Sequence, residues 1–89
     1  MPDAFRWQKL SMRDQIGNIG AELFRAARVP QHDVALARQM LERALELVDL
    51  TIGDAKWQEN PLPLLRLRNE IAKLYIGQAD DIESVYALL

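Results

Sequence analysis

His32 is the one histidine of this 89-residue chain, and no other side chain type titrates near neutral pH when unperturbed. Arg25 stands seven positions before it. Together they could do acid–base chemistry, the guanidinium holding a phosphate while the imidazole moves a proton. Arg25 and His32 are therefore the candidate catalytic residues. Pro30 interrupts the stretch between them, and we expect a solvent-exposed histidine near a helix start. The second cluster with chemical content is Glu42, Glu46 and Asp49, which at helical spacing project from one face. Hard cations want oxygens from more than one element, and the Glu-x-x-His pair of carboxylate-bridged diiron bundles is missing. A solvated acidic face is expected, with no metal and no cofactor. The chain has no cysteine, which excludes a thiol nucleophile, a disulfide framework and a zinc-thiolate site.

Whatever these residues do, helices must position them. Ser11 reads as an N-cap with Asp14 three positions later, a capping-box-like pair. Apolar residues then recur at 12, 16, 19, 23, 26 and 27, which predicts a helix over about 12–28 that Pro30 cannot continue. The next helix, about 33–52, carries one apolar stripe (Val34, Ala37, Leu41, Ala44, Leu45, Val48, Ile52) and a second beside it (Leu36, Met40, Leu47, Leu50). That arc is wider than an edge helix needs. The helix is thus either central to a bundle or shared with a partner. Leu45→Glu, near the middle of the main stripe, is expected to unfold the chain. Gly53 reads as a C′ glycine, Asp54 to Trp57 as one helical turn, and Asn60-Pro61 as a cap followed by proline at the first helical position. A third helix over about 61–76 has Leu64, Leu67, Ile71, Leu74 and Tyr75 as its core stripe and Gly77 as its stop. A short helix over about 81–88 follows, and residues 1–10 read as an irregular lead. With no alternating runs and no hairpin turns, the expected fold is all-α: one small antiparallel helical-bundle domain spanning 1–89.

Charge and composition narrow the partners. Segment sums alternate, +2 over 1–38, −3 over 39–60, +2 over 61–76 and −3 over 77–89, as suits helices that attract their neighbours or two chains that pair through opposite charges. Eight of the eleven basic residues are arginine, the side chain suited to bidentate pairing. Arg68 is accordingly expected to pair with Glu22, Glu46 or Asp49. A net charge of −2 disfavours a protein whose main partner is nucleic acid. No apolar run approaches the ~20 residues of a membrane span and residues 1–10 lack a signal-peptide core, so the cytoplasm is the expected location. Gly17 and Gly20 sit inside the first helix, where glycine costs about 0.5–1 kcal/mol relative to alanine. Close packing would explain them, within the chain or between chains. Trp7 and Trp57 are expected to lid the core, each indole N–H finding a carbonyl.

Three stretches resemble a family of small, all-helical bacterial proteins. They are Trp7-x-x-Leu10-Ser11 with Gln15-Ile-Gly-Asn-Ile-Gly-x-Glu22, then Arg43-Ala-Leu-Glu-Leu-x-Asp-Leu-Thr-Ile52 with Asp54-x-x-Trp57, then Leu65-Arg-Leu-Arg-x-Glu70. The resemblance implies a class, and no activity comes with it. By loose analogy it implies kinship with HEPN-like helical proteins, which often accompany nucleotidyltransferases in toxin–antitoxin pairs. The spacing of Arg25 and His32 resembles the Arg-x(4–6)-His element of HEPN-type ribonucleases. The expected function is a non-catalytic helical interaction module that forms a homodimer and could take a protein partner, its interface including Gly17, Gly20, Leu36, Met40, Leu47 and Leu50. The alternative is a HEPN-like RNA-binding or ribonuclease component of a toxin–antitoxin pair.

Overall fold

Local capping chemistry sets where each helix begins. In a computed structural model that describes residues 3–77, Asp3 accepts the Phe5 N–H at 2.9 Å and opens α1, Ala4–Gln8. The expected irregular lead is therefore a short helix, because an aspartate at the N-cap satisfies a donor that the first turn would leave unpaired. Ser11 Oγ accepts the Asp14 N–H at 3.1 Å and opens α2, Met12–Ala27. Asp33 does the same for α3, Val34–Ile52, taking the Leu36 N–H at 3.1 Å. A 3-10 turn at Ala55–Trp57 leads to α4, Leu62–Tyr75.

One stop and one start differ from the sequence reading. Gly53 has φ −75° and ψ −6°, ordinary right-handed backbone, so it is no left-handed C′ glycine. The chain turns away one residue later, where Asp54 adopts extended backbone and its carboxylate takes the Lys56 N–H. Asn60 caps nothing. Pro61 is the N-cap of α4 without a side-chain hydrogen bond, and its carbonyl takes the N–H groups of Leu64 and Leu65. Proline supplies helical φ without adding an orphan donor, and that suffices to start α4. Gly77 does behave as read, with φ +79° just past the helix.

The three long helices form an all-α bundle with no strand among the described residues. α3 is the middle element, packing on α2 along one flank and α4 along the other, while α1 also rests on it. Ile19, Leu23 and Ala26 of α2 meet Leu41, Ala44 and Val48 of α3 and Leu67, Ile71 and Leu74 of α4, with Trp7 joining from α1. This arrangement resolves the wide apolar arc of α3: a helix contacted on two flanks needs apolar side chains on both. Leu47, assigned to the second strip, is buried in the core, and Met40 and Leu50 pack against it half-buried. Val34, assigned to the main stripe, is 58% exposed in the first turn, and Leu45 is only half-buried. Tyr75 is half-buried as well. The helix expected over 81–88 lies outside the described residues.

Candidate functional site

The densest polar constellation lies where the start of α2 meets the end of α3, and it is inside the protein. Gln15 is fully buried. Its Nε2 donates to the Trp7 carbonyl at 3.0 Å and to Asp54 Oδ2 at 2.8 Å, while its Oε1 accepts from Trp57 Nε1 at 2.8 Å. Every hydrogen of the amide is used, and one face of its oxygen. Asp54 is also buried, and its Oδ2 accepts from Lys56 Nζ at 2.7 Å as well. Lys56 Nζ reaches across to the Gln8 carbonyl at 2.6 Å. Beside this knot, Trp7 Nε1 donates to Thr51 Oγ1 at 3.0 Å, and that hydroxyl donates to the Leu47 carbonyl at 2.6 Å. The bonds join α1, α2, α3 and the 3-10 turn, elements distant in sequence.

The Lys56 ammonium, bonded to Asp54 Oδ2, and the Lys56 backbone N–H on Oδ1 hold the Asp54 carboxyl down at about 2, against its ordinary 3.8, with the Gln15 amide helping and burial opposing. Such a carboxylate is a poor base at neutral pH, and its lone pairs are already occupied. Tryptophan, threonine and glutamine complete the set without supplying an acid or a nucleophile with a free base beside it. The chemistry of this cluster is structural: it converts four elements into one rigid end by satisfying each buried polar group. Residues far apart in the sequence meet here, Trp7 and Gln15 from one stretch, Thr51, Asp54 and Trp57 from another. The lid reading of the tryptophans was half of the matter. Trp7 N–H finds a hydroxyl and Trp57 N–H a side-chain amide, so the lids are latched by side chains.

The residues singled out for catalysis make no hydrogen bond or ion pair with each other among the described residues. Arg25 gives its guanidinium to Glu22 at 2.9 Å on the surface of α2. His32 lies exposed in the 28–33 connection and makes no hydrogen bond or ion pair among the described residues. The other oxygen of Glu22 is buried without a partner. In the acidic run, Glu42 accepts the Tyr75 hydroxyl at 2.7 Å and Asp49 accepts Arg68 Nε at 2.6 Å. The hydrogen bond to Glu42, which favours the protonated phenol, raises the Tyr75 pKa above its usual range. Asp49 is thus the partner of Arg68 among the three carboxylates considered, and the pair is solvent-exposed. Gln39, Glu42, Arg43 and Glu46 line an open depression of about 380 Å³ on the outer side of α3. No group of three His, Asp or Glu among the described residues could hold a metal ion.

Of the six residues expected at an interface, Gly17 and Leu36 are exposed, Met40 and Leu50 are half-buried, and Gly20 and Leu47 are buried within the chain. α2, α4 and α1 pack against α3 within the chain, which accounts for the burial of Gly20 and Leu47. Of the two glycines, Gly17 is the one left exposed. A methyl group added there would meet nothing within 4 Å, so packing inside the chain does not require the glycine.

Fold and site define a class, an all-α antiparallel bundle whose one dense polar cluster braces the structure. Comparison of the chain with protein-family models, curated proteins and solved structures found no match. No helix among the described residues is long and apolar enough to cross a membrane.

Proposed function

We propose that the protein is a non-catalytic helical interaction module that pairs with a second copy of itself in the cytoplasm. The observation that supports this reading is Gly17. It sits in right-handed helix, exposed, with open space around its missing side chain. Glycine there costs the folded chain about 0.5–1 kcal/mol relative to alanine. A neighbouring chain that approaches the α2 backbone closely gives that cost a reason. Ala21, one turn further along the helix, keeps the same side low. The surface assigned to self-association thus moves from α3 to the outer face of α2.

Light scattering of the purified chain across a dilution series is the test. A dimer is expected, and Gly17→Ala should raise the melting temperature of the subunit while weakening the dimer. A monomer throughout, up to tens of micromolar, would sink the reading. The HEPN-like alternative needs Arg25 and His32 to act together on RNA, and the engagement of Arg25 by Glu22 gives it no support. His32→Ala is expected to change neither fold nor association.

A further inference from the structure

The outer face of α4 carries a pattern that neither the core nor the Gly17 face uses. Leu62, Leu65, Asn69, Ala72 and Ile76 are spaced three and four apart in alternation, the a and d positions of a coiled-coil seam. Leu62, Leu65 and Ile76 are 51%, 48% and 59% exposed. The core side of the same helix is made by Leu64, Leu67, Ile71 and Leu74, all buried, and at 100° per residue it lies nearly opposite the seam. Helix α4 is therefore apolar on two faces. A buried face anchors it, and on the other side Leu62 and Leu65 in its first turn and Ile76 at its C-cap are left in water, with Ala72 half-buried between them. Asn69 stands at the central a position, where an amide sets register and partner number at some cost in stability.

The flanks say what kind of chain fits. In this register Arg66 and Lys73 occupy the e positions and Arg68 a g position. Arg68 is held against Asp49 and Lys73 against Glu70, whereas Arg66 makes no ion pair among the described residues. A second copy of α4 is a poor occupant. Antiparallel pairing would set Arg66 beside Lys73 of the other copy, or in the shifted register Arg66 and Arg68 each beside its own equivalent, and parallel pairing would set Arg68 beside Lys73. Like charges across a seam select against that partner. We infer that the outer face of α4 docks a helix of a different protein, one with apolar a and d residues and acidic e and g residues. The inference rests on the reading of the chain as an interaction module but uses a face separate from Gly17.

Two synthetic helical peptides test it with the full chain. Both carry leucine at a and d with one central asparagine at a; one has glutamate at every e and g, the other lysine. Fluorescence anisotropy should show the glutamate peptide binding and the lysine peptide at least about tenfold weaker, the gap closing as salt rises. Leu65→Asp should weaken the glutamate peptide about a hundredfold while helicity and melting temperature hold, since Leu65 lies off the core. Arg66→Glu should weaken it as well. Equal affinity for both peptides, binding of neither, or binding that survives Leu65→Asp overturns the proposal. So does a loss of the chain's own dimer in Leu65→Asp, which would make the seam's occupant a second copy. A monomeric wild-type chain that still discriminates between the peptides would remove the self-association reading and leave this one intact.

Discussion

Gln15 shows how much one buried amide can organise. It donates to Trp7 and Asp54 and accepts from Trp57, and no other side chain of its size has donors and acceptor in that pattern. Gln15→Glu keeps the shape but removes both donors and sets a second carboxylate against Asp54. The expected result is a loss of several kcal/mol of stability at neutral pH, partly recovered in acid, read by thermal melts followed by circular dichroism. Asp54 makes the complementary prediction. Its folded pKa is about 2 against 3.8 ordinarily, so its contribution is complete above about pH 4 and is lost as pH falls through about 2. The depression corresponds to roughly 2 kcal/mol. Asp54→Asn should be less stable than wild type at neutral pH, and the difference should shrink across that window. A wild-type and Asp54→Asn pair with parallel acid titrations would refute the assignment. None of this was legible from residue types, because Gln15 and Asp54 look like ordinary surface residues of a helix and a turn. The available signal was the pair of tryptophans, whose indole N–H groups must find partners once buried.

Among the elements, Ser11 and Asp33 cap helices as expected, whereas the start of α1 was missed and Asn60 caps nothing. Ser11 and Asp33 act through their own neighbours in sequence, so capping residues announce themselves. Glycines announce only permission. Gly53 and Gly77 look alike in the sequence, yet one is right-handed and the other has φ +79°. Gly53→Ala is expected to be neutral or to stabilise by up to about 1 kcal/mol, because a Cβ there meets carbonyl oxygens no closer than 3.7 Å. Gly77→Ala should destabilise by about 1 kcal/mol, since alanine resists positive φ. Melting temperatures of the two variants, compared with wild type, check both signs at once. The apolar spacing of α2, α3 and α4 located the elements themselves, and Leu64, Leu67, Ile71 and Leu74 are buried as their spacing requires.

On the scale of the whole molecule, the placement of α3 between α2 and α4 decides which of its apolar residues count. Val48 is fully buried and Leu45 is half-buried. Val48→Asp should abolish folding, since an unpaired buried charge costs a large share of a small domain's stability. Leu45→Glu should lower the melting temperature and leave the helical spectrum in place, a milder outcome than the apolar stripe alone suggests. A Leu45→Glu chain as unfolded as Val48→Asp would place the core axis elsewhere on α3. By itself the sequence determined the three long helices, their order and the absence of cysteine chemistry, because periodicity, capping and composition are local properties. Only the tertiary structure decided that Leu47 of the second strip of α3 is buried while Leu36 is exposed, that Arg25 serves Glu22, and that Gln15, Thr51 and Asp54 form a buried brace with the two tryptophans. These depend on which helix flanks which, and contacts between residues some forty positions apart leave no mark on local spacing.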